Sequence, residues 1–591
     1  MSCRFVVPVL VWLIVALASG AHAQAASSQP ANPVTQHSGI TIQLAKPAEQ
    51  KSVPPSQTAN AADESAALAE ADRLFATGKT AEAAAKYQAI ANADPESVPA
   101  QVGVIRTCLM EQKLDEAQSA ANTALALHPE SPLLLLTLGD VQFAQGRIPE
   151  AERSYVKAQN LTPDDAAPYL GLARVYRAYS LYRRAYDNMK RAHELAPNDL
   201  AVQLLWFHSL PPQEQIPALE DYLANAAPSP QMAKNLQQYL AFLKRNAEAP
   251  VHACRLVSRK EDTETKLYAL PRPGTELGAS GLLVKINKDE MHLALDTGSG
   301  GVLLGRAAAE KLGLQRLAYQ PIVGMGDSGQ QGGYTAVADR IRIGDLEFQD
   351  CVVRVTDAAT PVSGQDGLIG TDVFSAYLID IDIPGEKLRL SPLPKRPDAA
   401  AAPAALQTMP SQENQDFESQ SPGTEPHAKL PQPLVFNLPR DAYVAPGMAN
   451  WTKVYRFRSL LLVPTRVDNT GPMLFLMDTG SFSNVLSTRA ARQLTQIRQD
   501  PGTQVRGISG AVSQVYRADK ATLQFGRYAQ QGQDIVTFDL SNISRQVGTQ
   551  VSGILGFNML RILQIKIDYR DGLVDFLFDP NHLPRQVKLN H

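Results

Sequence analysis

Two spacings of apolar positions divide the chain. Between about residues 65 and 246 small and apolar residues recur at helical intervals, and three separate registers share one period. Pro95, Pro129, Pro163 and Pro197 stand 34 residues apart, as do Ala83, Ala117, Ala151 and Ala185, and so do Gly78, Gln112, Gly146 and Ser180. The spacing predicts one helix pair per unit: a turn former ends the first helix, Ala lets the second pack closely, and Pro closes the unit because it cannot continue a helix. Tyr87 and Tyr155 fill space between helices. The stretches "AVQLLWFHSL" and "PQMAKNLQQYLAFLKRNAE" predict further helices that cap the stack.

After about residue 250 the pattern turns to short alternating or continuous apolar runs, the mark of strands. "GLLVKIN", "MHLALD", "RIRIGDLEFQDCVVRV" and "YLIDIDIPGEKLRLS" occupy 250–393. "SLLLVPTRV", "LFLMD", "ATLQFG", "QDIVTF" and "ILQIKIDYRDGLVDFLF" occupy 434–591. Between them, residues 394–433 hold eight prolines among Ala, Gln and Ser and predict an extended linker. Residues 24–64, rich in Ala, Ser, Gln and Pro, predict a flexible tether. At the start, Arg4 precedes an apolar run from Phe5 to Ala18, and Ala21-His22-Ala23 fits a small-x-small cleavage site. Residues 1–23 are therefore expected to be a signal peptide, with the uncleaved anchor as the alternative. Export places the mature chain in a bacterial periplasm or outside the cell, with no membrane span after cleavage.

Composition narrows the function. A net charge of −3 over 591 residues offers nothing to a polyanion, so no nucleic-acid partner is expected. Of four cysteines, Cys3 leaves with the signal. Cys254 and Cys351 lie in one predicted domain and can pair, while Cys108 reads as a small buried hydrophobe. None has metal-ligand spacing, and neither a metal nor an organic cofactor is expected.

The candidate chemistry repeats. "LALDTGSGGVLL" at 293–304 and "LFLMDTGSFSNVLS" at 474–487 place the same Asp-Thr-Gly-Ser after the same apolar lead-in. Each is followed by a helical stretch, then a glycine-bearing segment ("VGMGDSGQQGGY", "VRGISGAVSQVY"), then an apolar-apolar-Gly motif ("DGLIGTDVF", "SGILGFNML"). Twelve residues after each of those glycines, Asp382 and Asp568 close strand-like runs and read as carboxylates for a turn amide or a nearby base. A duplicated lobe is the economical explanation.

The repeat at the front resembles the tetratricopeptide repeat, a helical solenoid whose concave face binds peptides or proteins, or which serves as a spacer. The duplicated half resembles the retropepsin-like and pepsin-like aspartic peptidases. The fold class expected is thus multidomain α and β: an α-solenoid over 65–246, then two mainly-β lobes, 250–393 and 434–591, forming a pseudo-twofold bilobal unit. The resemblance implies that Asp296 and Asp478 are the catalytic pair, two carboxylates that share one proton and activate a water. It implies that Thr297 and Thr479 bond across the lobe interface, that Gly298 and Gly480 allow the tight turn, and that Ser299 and Ser481 orient the carboxylates. It also implies a flap over the substrate from Gly324 to Tyr334, Gly326 included, with Tyr334 either touching the substrate or serving as an ordinary strand aromatic. Gly507 to Tyr516 would be a second flap or a stiffer counterpart. Phe557 departs from the polar residue expected after the downstream glycine, which puts that local hydrogen bond in question.

Two other motifs are set aside. Gly324-x-Gly326-x-x-Gly329 matches a dinucleotide fingerprint, but β-like sequence follows where a helix is needed. Gly326-Asp327-Ser328-Gly329 resembles a serine-peptidase loop, but His252 and His292 lack triad surroundings. The expected function is an exported aspartic endopeptidase with peptide or protein substrates and a protein partner on the repeats. The alternative is a non-catalytic peptide-binding or scaffold protein. With roughly 35 Å of r.m.s. reach, the 394–433 linker lets the two lobes pair within one chain, a monomeric pseudo-dimer.

Overall fold

A computed structural model describes residues 55–210, 212–225, 230–247, 254–272, 275–320, 322–329, 331–358, 364–396 and 443–583. The expected signal peptide and nearly all of the expected 394–433 linker lie outside the described residues.

Among the described residues, eleven helices run from Pro55 to Ala247. The first, Pro55–Ala76, begins ten residues inside the stretch read as tether. Its Ala-rich body propagates a helix without an apolar stripe, and Pro55 suits a first helical position, so the pattern of apolar residues did not mark it. The 34-residue registers have direct structural meaning. Ala83, Ala117, Ala151 and Ala185 are all fully buried. Gly78, Gln112, Gly146 and Ser180 all turn the chain with positive φ, at 79°, 59°, 77° and 61°. Tyr155 lies where Gly139 and Gly171 leave space: a Cβ on either would fall 2.5 or 2.6 Å from its ring. A fourth register was not anticipated. Asp72, Arg106, Asp140 and Arg174 alternate in sign at the same spacing. Tyr87 bonds to Asp72, Tyr155 donates to Asp140 at 2.8 Å, and Arg174 reaches Asp140 at 3.2 Å. Beyond the four units come Leu200–Ser209, Pro212–Asn225 and Pro230–Ala247, packed through Phe207, Leu219, Tyr222 and Leu236. The middle one is not among the helices expected from the sequence, and it holds Pro217 inside it. Pro212 opens the helix, and Pro217 leaves only the carbonyl of residue 213 without its intrahelical donor.

The β region is bilobal. In lobe 1, strand Asp289–Asp296 runs parallel to Gly367–Gly370, setting Asp296 opposite Gly370. In lobe 2, Met473–Asp478 runs parallel to Gly553–Gly556, setting Asp478 opposite Gly556. The lobes are joined by backbone. Tyr377–Asp382 pairs antiparallel with Gln564–Asp568, aligning Ile379 with Ile567 and Ile381 with Ile565. One sheet of fourteen strands thereby passes through both lobes. The isoleucines feed a core common to both. Cys254 and Cys351 are disulfide-bonded, and Cys108 is free and half-buried.

The helical region is fused to lobe 2 along one line of turns. Arg489 donates to the Gln112 carbonyl at 2.6 Å and to Asp115 at 2.9 Å. At the next turn the Gln550 amide donates to Ala144 O at 2.8 Å, and the Thr549 hydroxyl donates to Phe143 O at 2.6 Å. At the third, Ser180 faces Gly572, and Tyr179 stands 5.6 Å from Tyr455 between ring centroids. Leu135, Leu136, Phe143 and Leu172 share an apolar cluster with Leu462, Leu474, Leu476 and Ile554 of lobe 2.

This docking is testable through the positive-φ register. A Cβ at Gly146 would sit 2.9 Å from Leu474 Cδ1, whereas one at Gly78 meets nothing within 4 Å. Gly146→Val is expected to cost about 2–4 kcal/mol, the sum of backbone strain and overlap, and Gly78→Val only about 1–2 kcal/mol of strain. Chemical denaturation of the two variants checks this, and equal losses would contradict a packed seam.

Candidate active site

Each Asp-Thr-Gly-Ser loop leaves the end of an apolar strand and turns under the other lobe. The turn is fixed first by its own amides. Gly298 N–H donates to Asp296 Oδ1 at 2.8 Å, and Gly480 N–H donates to Asp478 Oδ1 at 2.9 Å. The threonines then lock the loops to each other. The Thr297 amide donates to Thr479 Oγ1, and the Thr479 amide to Thr297 Oγ1, both at 3.0 Å. The hydroxyls go on to Met477 O at 2.8 Å and Leu295 O at 2.9 Å. Thr297 and Thr479 are buried, so these four bonds form out of water, where leaving any one unmade is costly.

The result is that the carboxyl groups of Asp296 and Asp478 meet in hydrogen-bond contact. The glycines make the approach possible. A Cβ at Gly298 would lie 2.5 Å from Cγ of Asp478, and one at Gly480 would lie 2.6 Å from Cγ of Asp296. Loss of hydration, then the facing Asp478 carboxylate, pushes the Asp296 carboxyl well above the usual aspartate range. Loss of hydration also raises Asp478, but the hydrogen bond from Asp296 and the amides of Ser481 and Gly480 oppose the rise. The rise at Asp296 is opposed in the same way by the amides of Gly298 and Gly480, so both carboxyls are raised and the two titrate as one coupled pair.

The serines differ from expectation. Ser481 steadies Asp478 through its backbone N–H, at 3.0 Å, while its hydroxyl donates to Ser483 O. Ser299 sends its amide to Asp296 O at 3.4 Å, and its hydroxyl makes no bond to the Asp296 carboxylate. A short hydroxyl two or three residues from a turn carboxylate competes poorly with the turn's own amides, which are already placed.

The two glycine-bearing segments meet each other. Gly324 N–H donates to the Ser509 hydroxyl at 2.9 Å, Ser509 N–H to Met325 O at 2.9 Å, and Ser328 N–H to Ser509 O at 2.8 Å. Asp327 N–H donates to Ala511 O at 3.1 Å, and Asp327 Oδ2 accepts from Ser513 N–H at 2.6 Å. Gly326, at φ 127°, can carry no side chain, since a Cβ would fall 2.5 Å from the carbonyl of Gly510. Gly507 likewise lies against Met325 O. The two segments clasp each other across the pseudo-twofold. Ile508 of one packs on the lobe-1 cluster of Ala294, Leu303, Ile322 and Leu368. Met325 of the other packs on the cluster holding Leu476, Val485 and Ile554 of lobe 2. Sequence reading found the glycines but not Met325, Ile508 or Ser509, because nothing in either segment alone shows that it faces its counterpart.

Tyr334 and Tyr516 do not join the site. Tyr334 is a strand residue opposite Tyr319 and Val355, with the Arg316 guanidinium 4.8 Å from its ring centroid. Tyr516 lies opposite Gln499 and Thr537, donates to Gln514 at 3.0 Å, and lines a groove shared with Lys113 and Asp115 of the helical region. Asp382 accepts from the Gly385 amide and Asp568 from the Asp571 amide, each steadying a turn below the interlobe strands.

A family model described as Aspartyl protease matches residues 282–373 and again 463–559. Two Tetratricopeptide repeat models match 68–132 and 109–175. Among solved structures, a thermophilic tetratricopeptide protein of Thermus thermophilus, TTC0263, is 19% identical, with 31% of this chain and 98% of that one covered and a TM-score of 0.28. Pseudomonas aeruginosa pilF is 18% identical, covering 32% and 88%, at 0.24, and MamA is 17% identical, covering 30% and 94%, at 0.20. No curated protein matches the chain. The chain therefore joins tetratricopeptide repeats to two segments that each match the aspartyl protease model and each carry one Asp-Thr-Gly-Ser loop.

Proposed function

We propose that this chain is an exported endopeptidase of the aspartic type, which hydrolyses peptide bonds with a water activated between Asp296 and Asp478. The observation that carries the reading is the contact of two half-buried carboxyl groups, one from each lobe, both raised above the usual aspartate range. The ionised Asp478 takes a proton from the water as its oxygen attacks the scissile carbonyl carbon. Asp296 gives its proton to the carbonyl oxygen. The tetrahedral adduct then collapses: the C–N bond breaks, the leaving nitrogen takes the proton from Asp478, and one hydroxyl of the adduct returns its proton to Asp296 as the carboxyl product forms. The clasped flaps would part to admit a chain and close to exclude water. A binding-only role would not need the two carboxylates held in contact at the cost of their hydration.

The remaining parts fit this reading. The disulfide between Cys254 and Cys351 suits an oxidising compartment, periplasmic or extracellular, as the expected signal peptide does. Tyr443 donates to Lys395 O, so the two ends of the segment between the lobes lie side by side, which favours pairing within one chain. The repeats would recruit a protein partner or substrate with the surface they do not spend on lobe 2.

Two outcomes follow. Asp296→Asn and Asp478→Asn should each lower peptide cleavage by at least about 10³-fold, since a paired acid and base act as one unit. Cleavage profiling of the purified mature chain against a peptide library reads this. Both variants should stay folded at neutral pH. A carboxyl whose folded pKa is raised weakens the fold once the pH exceeds its unfolded value, so the amide relieves that cost. Second, kcat/KM should trace a bell in pH. It falls on the acid side as Asp478 takes a second proton, above the usual aspartate range, and on the alkaline side as Asp296 loses the shared one. An acid limb at or below the ordinary aspartate value would contradict the assignment.

A further inference from the structure

The two catalytic loops are braced differently from behind. After its downstream glycine, lobe 2 carries Phe557, which is fully buried. There the loop is held by backbone, with Phe557 N–H donating to Ser481 O at 2.6 Å and Asn558 N–H to Phe482 O at 2.8 Å. Lobe 1 carries Thr371 at the matching place, also fully buried, and its hydroxyl is answered from the other lobe. Tyr569 Oη lies 2.7 Å from Thr371 Oγ1 and donates to Ser459 O at 3.3 Å. Ser459 in turn presses on the lobe-1 loop: a Cβ at Gly300 would fall 2.7 Å from its Oγ. On the loop's own side, Asp372 accepts from Gly301 N–H at 2.8 Å, and Arg354 donates to Gly300 O. Tyr569 is fully buried, and its counterpart in lobe 1, one residue past the strand-closing Asp382, is the apolar Ile383. One side of the pseudo-twofold thus pairs a hydroxyl with a phenol, and the other carries Phe and Ile.

We propose that Tyr569 of lobe 2 is a positioning residue for Asp296. Through Thr371 and Ser459 it holds the 296–301 loop at the height that brings the lobe-1 carboxyl against Asp478. This rests on the dyad reading above. The brace has an outer support: the Arg456 guanidinium lies 5.3 Å from the Tyr569 ring centroid and 5.6 Å from that of Tyr182 in the helical region. The charged groups around the brace are Asp372, Arg354, Arg456 and Asp296, and neither Tyr569→Phe nor Thr371→Val alters any of them.

The test uses the full chain with Tyr569→Phe, Thr371→Val and Thr371→Ser. With a library-derived peptide, the Phe and Val variants should lose roughly tenfold in kcat while KM stays within about twofold. The double variant should be no worse than either single one, and Thr371→Ser, which keeps the hydroxyl, should restore turnover. A second readout does not need turnover. In protein labelled with ¹³C at the aspartate carboxyls, with the dyad assigned through Asp296→Asn and Asp478→Asn, the paired titration should shift in the Phe and Val variants. An unchanged dyad titration, or a rise confined to KM, overturns the proposal. If the wild type cuts no peptide and the dyad titration still shifts, the positioning role stands and the peptidase reading falls.

Discussion

Two threonines, each giving one amide and one hydroxyl to the other lobe, set the distance between the halves of this protein. Because their four hydrogen bonds are buried, neither loop can slide without stranding donors in a place water does not reach. That constraint forces the carboxyl groups of Asp296 and Asp478 together, and two such groups in contact cannot both be charged. Glycine at 298 and 480 is required by the same geometry, as any Cβ would enter the opposing carboxyl group. A proton shared between them would thus be a consequence of how the loops are tied, and the chemistry proposed for the site a consequence of that proton.

The tie would be of little use if the lobes could part elsewhere. Antiparallel pairing of Tyr377–Asp382 with Gln564–Asp568 closes them below, and the clasp of Gly324–Ser328 with Ser509–Ser513 closes them above. The helical repeats add a third restraint on one side only. The turns at Gln112, Gly146 and Ser180 rest on lobe 2, so the positive-φ register that shapes each helix pair also presents it to the protease-type half. The helical region is therefore packed against lobe 2, and a ligand on its free surface would be held at a fixed place relative to the two clasped segments.

The sequence carried the fold wherever one segment reports on itself. The 34-residue registers named the buried alanines and the turning residues, and the doubled Asp-Thr-Gly-Ser with its downstream glycine marked two lobes and the residues that meet between them. It failed where a residue's role depends on a partner far along the chain. Tyr569 looks like an ordinary strand-end aromatic until Thr371, 198 residues earlier, is found beside it. Ser509 and Met325 lie in glycine-rich segments that say nothing of each other. Tyr334 and Tyr516 were drawn to the site by sequence proximity to those segments, yet strand alternation turns them to other neighbours. The helix starting at Pro55 was hidden because composition argued against it while helix-start chemistry allowed it, and the one containing Pro217 is not among the helices expected from the sequence.

The central claim is a proton held between two lobes, and infrared difference spectroscopy reads it directly. Subtracting the Asp296→Asn spectrum from that of the unaltered chain, at a pH where exposed aspartates have ionised, should leave one carboxylic-acid C=O band. That band should disappear once the pH passes through the raised Asp296 value. A spectrum with only carboxylate bands under those conditions would mean that the two groups do not share a proton, and the account built on their contact would be wrong.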